Sequence, residues 1–438
     1  MASPQTPTAG DAQSRDNHQR RSRRTLAAAA VFAGIGIAGT TPAGSLLITD
    51  ISGSEHLAGL TQTFGLIGAA AASMVLVRLT DRGGRRLALR TGYLIGIAGA
   101  ATAITAGVSR SPFLLLFGAL LVGWAVAAGF QARFAAVDLA TPERRARDLS
   151  VVVWGSTVGA VLGPNLLEPS GSLARALGLP QLTGPYVIAI AALLAASVIL
   201  TVFLRPDPYM LARSAQAAEE LPPGGSPVQL PQSQRVRTGL RHARENPAAR
   251  LGLSAVVLGH VAMVSIMVMT PVHMKHVDVS LTIIGLVISV HIAGMYALSP
   301  VVGWMADRIG RASTIATGAV TLIVAAVTAG TAEDHNSWQL GAGLLLLGVG
   351  WSMTLIAGST LLSESTPAQD RTAVQGTSDL LMSGSAAVGG ALAGVVIAAW
   401  DYFVLCLTVI PALIALLVWA VRYAGASRKN PDPMSSPT

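Results

Sequence analysis

The sequence predicts an all-α membrane protein of twelve transmembrane helices, arranged as two six-helix repeats. Three observations carry that prediction. Apolar residues make up 52% of the 438-residue chain and charged residues only 12%, with a mean hydropathy of +0.57. No water-soluble fold hides so much apolar surface behind so few charges. Twelve apolar windows recur along the chain, each long enough to cross roughly 30 Å of hydrocarbon. One charged loop motif also occurs twice, at equivalent places in the two halves.

The windows lie near residues 25–48, 57–79, 87–108, 112–137, 149–168, 184–204, 250–272, 281–303, 312–332, 338–362, 373–399 and 401–423. Residues 1–24 and 424–438 are polar and rich in Ser and Pro, and read as disordered cytoplasmic tails. SRRTLAAAA resembles a twin-arginine export signal but is followed by eleven further windows, so it reads as the flank of the first helix. With the N-terminus in the cytoplasm, the Lys and Arg fall on the cytoplasmic side, except Arg110, Arg175 and Lys275 outside and Arg133 within a span. The opposite orientation breaks the positive-inside rule, so both termini are assigned to the cytoplasm of a plasma (inner) membrane protein. Residues 205–249, with LPPGGSPVQLPQSQ, form a cytoplasmic linker between bundles at 25–204 and 250–423. A short basic helix near 235–245 suits the membrane surface.

The halves repeat. TDRGGRR follows the second window and ADRIGR the eighth, placing Asp81 and Asp307 226 positions apart. Thr141-Pro142 and Thr366-Pro367 echo one another at 225 positions, each followed by arginine (Arg144, Arg145 and Arg147; Arg371). Two signals at nearly one displacement imply a duplicated unit, an arrangement that places substrate sites near the midplane at the repeat interface.

Asp-Arg-x-Gly-Arg between spans two and three, repeated between spans eight and nine, resembles the signature loop of the major facilitator superfamily. The second copy carries the Gly303 that the family pattern has four residues before the Asp; the first has Val77. The resemblance covers residues 25–423 and implies the major facilitator fold. It also implies a gating role for Asp81, Arg82, Gly84, Arg85, Asp307, Arg308, Gly310 and Arg311; anchoring of the loops is the plainer alternative. Two features of the drug–proton exporters are missing: GALLVGWAVAAG has no arginine, and GAVLGPNLLE lacks the closing glycine pair.

The stretch HVAMVSIMVMTPVHMKH concentrates His and Met in span seven, with Met263 and Met267 four apart on one helix face. Span eight answers with His291 and Met295 in SVHIAGMY. These four positions resemble the Met-x-x-x-Met and His-x-x-x-Met motifs of the CcoA-like copper importers, a subfamily thought to include riboflavin importers. Thioether and neutral imidazole are donors suited to Cu(I) and weak enough to release it. At 1.5 Å per residue, Met263 and His291 lie about 14 and about 16 Å below the outer ends of their helices. A ladder follows: Met267, then Met263 with His291, then Met295 with His260. Packing is the competing reading for any single Met, whereas an intramembrane His is functional by default.

His56, His273, His276 and His335, near Asp50, Glu55, Asp278, Glu333 and Asp334, fall at the outer surface, as ion collectors or as solvated loop residues. Arg133 and Asp379 lie within spans four and eleven, so each needs a partner. Asp379 reads as a proton-coupling site or as pairing with Arg133 or Gln375. The lone cysteine, Cys406, reads as structural and excludes an internal disulfide. No nucleotide-binding loop or catalytic triad is present, no cofactor is implied, and no basic domain exists for nucleic acid. The chain therefore reads as a monomeric secondary transporter of a small molecule or metal ion, with the bilayer as its other partner. Copper import is the first substrate reading. Organic solute transport is the alternative: riboflavin-like import or, less favoured, drug–proton efflux. A membrane sensor is a third class, disfavoured because both gating loops are intact.

Overall fold

The computed structural model describes residues 9–136, 138–140, 145–219, 237, 240–242, 244–333, 336–366 and 371–429. The described residues are helical and turn structure, without strands. In chain order the helices are α1 (Ala9–Ser52), α2 (Leu60–Ser109), α3 (Pro112–Ala135), α4 (Arg145–Asn165), α5 (Leu167–Ala176), α6 (Gly184–Phe203) and α7 (Pro208–Glu219). There follow α8 (Pro247–His276), α9 (Leu281–Tyr296), α10 (Ser299–Ile309), α11 (Arg311–Gly330), α12 (Ser337–Glu364), α13 (Arg371–Ala399), α14 (Tyr402–Thr408) and α15 (Ile410–Lys429). Short 3₁₀ turns stand at Glu55–Leu57 and Gln181–Thr183.

Ten helices among the described residues are long and apolar enough to cross a membrane, and two facts raise the number of crossings to twelve. The 50 residues of α2 would extend about 75 Å, more than twice the hydrocarbon thickness, and the helix breaks at Gly83 and Gly84. It therefore supplies two crossings. The pair α4 and α5, bent by 58° after Pro164, forms one more. Gly84 has φ +81 and ψ 178, a conformation open only to glycine. Gly310, at the matching place in the second half, has φ +90.

The chain divides into two compact units, residues 1–53 with 60–228, and residues 54–59 with 229–438. In the first, α2 packs along α3, while α1 lies against α4 and α6. Its core is Ala and Leu: Leu26, Ala72, Leu76, Leu89, Ala125, Ala128 and Leu200 are all buried. Small residues let backbones approach, which is how helices associate where lipid removes the hydrophobic drive. In the second unit, α12 packs against α8, α9 and α11, whereas α8 and α9 meet over a much shorter stretch.

The repeat extends to atomic packing. A methyl placed on Gly68 would strike the Leu120 carbonyl, and one on Gly123 the Gly65 carbonyl. In the second unit a methyl on Gly294 would lie 2.7 Å from the Leu345 carbonyl, and one on Gly348 would strike that of His291. The displacements between these pairs are 226 and 225 positions, as for the sequence motifs. Arg85 is paired with Asp138 at 2.9 Å, and Arg311 with Glu364 at 2.8 Å, each across 53 residues.

The expected N-terminal tail differs. Residues 9–24 continue α1 as helix rather than forming a disordered segment. The cause is a buried carboxylate: Asp148 accepts hydrogen bonds from Gln19 Nε2 and Arg23 Nη1, both at 2.6 Å. Gln19 Nε2 also donates to the Ala136 carbonyl at 2.7 Å. The C-terminal end is likewise helical as far as Lys429. Span eight is kinked, with Tyr296 ending α9 and Pro300 opening α10.

Candidate substrate site

All five residues expected on the Met/His path belong to the second unit. α8 begins where Asn246 caps it, its side chain accepting from the Ala248 and Ala249 amides, with Pro247 at the first position. Asn246 Nδ2 also donates to the Ser365 carbonyl at 3.1 Å, tying the start of α8 to the end of α12. Ser280 caps α9 by accepting from the Ile283 amide. From these starts His260 lies about 20 Å along α8, and His291 about 15 Å along α9, both deep in a 30 Å layer. α8 carries His260, Met263 and Met267; α9 carries His291, Met295 and Tyr296.

The helix that joins them is α12. His291, fully buried, donates from Nδ1 to the Leu344 carbonyl at 2.8 Å. That bond fixes its tautomer and leaves Nε2 as a bare acceptor, buried and with no hydrogen-bond partner. Trp351, on the same helix, donates its indole N–H to His260 Nδ1 at 2.8 Å. His260 is thereby fixed in the other tautomer, with the proton on Nε2. The Trp351 ring also meets Tyr296 edge-on at 5.9 Å and His260 at 6.0 Å. One side chain of α12 thus places the His260 level of α8 beside the Met295–Tyr296 level of α9.

In this arrangement His260 Nδ1 accepts the indole N–H and Nε2 carries the ring proton. Met263 and Met295 are buried and Met267 is partly exposed.

The two repeated charged loops form two ion-pair systems. In the first, Arg85 clasps Asp138 through two hydrogen bonds, at 2.9 and 3.1 Å, and Asp207 accepts from the Arg85 and Arg86 amides at 3.2 and 2.8 Å. Asp81 accepts from the Tyr209 hydroxyl at 2.8 Å, and its carbonyl from Arg213 at 3.1 Å. In the second, Arg311 pairs with Asp307 at 2.7 Å as well as with Glu364. Arg308 lies over the Trp304 ring at 5.3 Å, and Arg82 is exposed.

Arg133 belongs to the first unit, where its guanidinium lies 5.1 Å from the Phe130 ring centre and Nε is buried without a partner. Asp379 belongs to the second unit and is exposed; the Gln375 side chain lies outside the described residues. At the opposite helix ends from the charged loops, His276 meets Glu55 at 3.1 Å, His273 stacks on Tyr402 at 4.4 Å, and Asp50 meets Arg110 at 3.7 Å. His56 is exposed, Asp278 has φ +57, and Glu333 follows α11; Asp334 and His335 lie outside the described residues. Cys406 is buried and free.

Sequence reasoning missed Trp351, Tyr296, Asp138, Glu364 and Asp207. One signal was available: Arg85 to Asp138 and Arg311 to Glu364 span the same 53 residues.

Comparison with known proteins agrees with the duplicated helical architecture. The Major Facilitator Superfamily model matches residues 26–279 and again 252–437. The uncharacterized MFS-type transporter YdeG of Bacillus subtilis (strain 168) is 38% identical over 388 residues, 89% of this chain and 88% of that protein. The riboflavin transporter RfnT of Brucella anthropi is 26% identical over 354 residues, 80% of this chain and 82% of its own. Among solved structures, the nucleoside transporter NupG superposes with a TM-score of 0.68 at 14% identity, covering 92% of this chain and 98% of that one. With a model covering both halves and a relative above 30% identity along most of its length, the chain belongs to the major facilitator superfamily and is a multi-pass secondary transporter, not an enzyme.

Proposed function

We propose that this transporter carries a small organic solute across the plasma membrane, with both termini in the cytoplasm, and that the solute is held in the second unit. The carrying observation is the ring group formed by His260, Trp351 and Tyr296 at one depth, with His291 bonded to the same α12 helix two turns away. Solute sites are lined by aromatic and apolar side chains with a few oriented polar groups, which is the composition here. The resemblance to a riboflavin transporter at 26% identity supports the same class. The orientation rests on the positive-inside distribution of Lys and Arg.

Copper import is the second reading, favoured by His291. An imidazole whose Nδ1–H is held by a carbonyl presents Nε2 as a metal ligand, and Met295 stands four residues on along the same helix. Met263 would complete the soft donor set. The CcoA-like resemblance supports this reading.

Uptake into proteoliposomes separates the two. Radiolabelled riboflavin and copper are each offered to the wild type and to His291→Ala, Met263→Ala and Trp351→Ala. The organic reading expects solute uptake that Trp351→Ala lowers and Met263→Ala spares. Copper uptake lost in both Met263→Ala and His291→Ala would replace it with the second reading.

A further inference from the structure

We propose that the second unit contains a subsite for a neutral, planar heterocyclic amide, formed by His260, His291, Trp351 and Tyr296. The proposal rests on the reading of this site as one for an organic solute, and it names the chemical class. Its basis is that the two imidazoles are locked in opposite tautomers. Trp351 donates to Nδ1 of His260 at 2.8 Å, so His260 offers a donor at Nε2. His291 gives its Nδ1–H to the Leu344 carbonyl at 2.8 Å, so it offers an acceptor at Nε2, which is buried and has no partner. A buried acceptor left unmatched carries a desolvation penalty, which a ligand N–H would remove.

The matching ligand has an N–H at one edge and a ring nitrogen or carbonyl at another. The bonds to Leu344 and Trp351 come from positions seven residues apart on one helix, about 10 Å along its axis. A helical Trp side chain leans toward the N-terminus, which shortens that span. The two imidazoles are therefore held on the order of 5–10 Å apart along α12, a spacing that suits a fused bicyclic heterocycle. Trp351 and Tyr296, at 5.9 Å, supply aromatic surface for stacking. Met295 brings a polarisable, adaptable thioether from α9. The partners of the two imidazoles are an indole and a backbone carbonyl, both neutral. Nothing in that pair balances a charged solute, so the ligand is neutral. Besides its ring surface, Trp351 sets the tautomer of His260 through its N–H.

The test uses the purified full-length transporter in lipid nanodiscs and the fluorescent probe lumazine, a fused bicyclic imide, against 3-methyllumazine, which lacks the imide N–H. The wild type is expected to bind lumazine about tenfold more tightly, the worth of one buried hydrogen bond. His291→Ala abolishes that preference, and His291→Gln, which retains an acceptor, restores part of it. Trp351→Phe weakens both probes by a similar factor while leaving their ratio unchanged. Thermal unfolding of each variant establishes that it is folded. Absence of lumazine binding, equal affinity for the two probes, or a preference that survives His291→Ala overturns the proposal. If riboflavin uptake still depends on Trp351 when lumazine fails to bind, the amide subsite alone is overturned. If no organic solute's uptake responds to Trp351→Ala or His291→Ala, the organic-solute reading falls with it.

Discussion

Gly84 and Asp207 meet across more than a hundred residues, and neither is explained by its own neighbourhood. Gly84 holds φ +81 where the chain turns between two crossings, and an added Cβ would strike the Asp207 carboxylate. That carboxylate accepts the first free amides of the following helix, those of Arg85 and Arg86, where negative charge is favoured. Gly310 has φ +90 but open space around it. Gly84→Ala is therefore expected to be the more destabilising. Both incur backbone strain of about 1–3 kcal/mol, and only Gly84→Ala also displaces a cap. Thermal unfolding of the two variants in detergent gives the order, and equal losses would count against the cap. Asp207→Ala removes the acceptor of the Arg85 and Arg86 amides and of the Tyr209 and Met210 amides and is expected to cost about 1–3 kcal/mol, with Asp207→Asn recovering part of it. The glycines were legible in the sequence because the loop motif is local. Asp207 was not, because a side-chain cap donated from 122 residues away leaves no periodic or motif signal.

At the scale of elements, α1 shows where composition misleads. Its first residues are polar and charged, which suggests a disordered tail, yet the helix runs from Ala9 without a break into the membrane span. Polar composition reports only that these residues do not belong in lipid. What orders them is Asp148, buried and holding both Gln19 and Arg23, with the Ala136 carbonyl as a third contact. Asp148→Ala strands a buried amide and an arginine and is expected to cost about 1–3 kcal/mol. Asp148→Asn keeps the Gln19 contact but loses the negative charge that faces Arg23, and is expected to fall between. Limited proteolysis is the direct check: cleavage near Arg20–Arg24 speeds up in Asp148→Ala if the docking holds this segment, and stays at the wild-type rate if it does not. The same limit applies to α8 and α9. Their Met and His spacing was readable from helical periodicity, but the tautomer of His260 depends on an indole 91 residues away. Sequence spacing therefore places the His and Met on their helices but not the hydrogen bond that orients His260.

Across the whole molecule the scaffold is duplicated and the candidate site is not. Gly123 and Gly348 occupy equivalent positions, each bringing its helix against the backbone of the helix two crossings earlier. In the first unit that backbone belongs to Gly65 and Ala69; in the second it belongs to His291 and Met295. Duplication was legible because the loops and the Thr-Pro echoes share nearly one displacement, and the packing glycines follow the same offsets. Specialisation was half legible: His291 and Met295 stand out in an apolar span, whereas Trp351 resembles any lipid-facing aromatic until its partner is known. The contrast yields a test in which fold and function separate. A methyl at either glycine forces the backbones apart, at a cost of about 1–3 kcal/mol, so Gly123→Ala and Gly348→Ala are expected to lower the unfolding temperature to a similar degree. Only Gly348→Ala also moves the His291 carbonyl and the Met295 amide, the latter 2.8 Å from the added Cβ. Competition between solutes, measured per folded transporter, is therefore expected to change in Gly348→Ala and to stay at the wild-type order in Gly123→Ala. Gly65→Ala is the control, because its Cβ meets nothing nearer than the Ala119 carbonyl at 3.7 Å. It should leave both stability and solute preference unaltered. If Gly123→Ala shifts the preference as strongly as Gly348→Ala, the solute is read by both units, and assigning the site to the second unit alone is wrong.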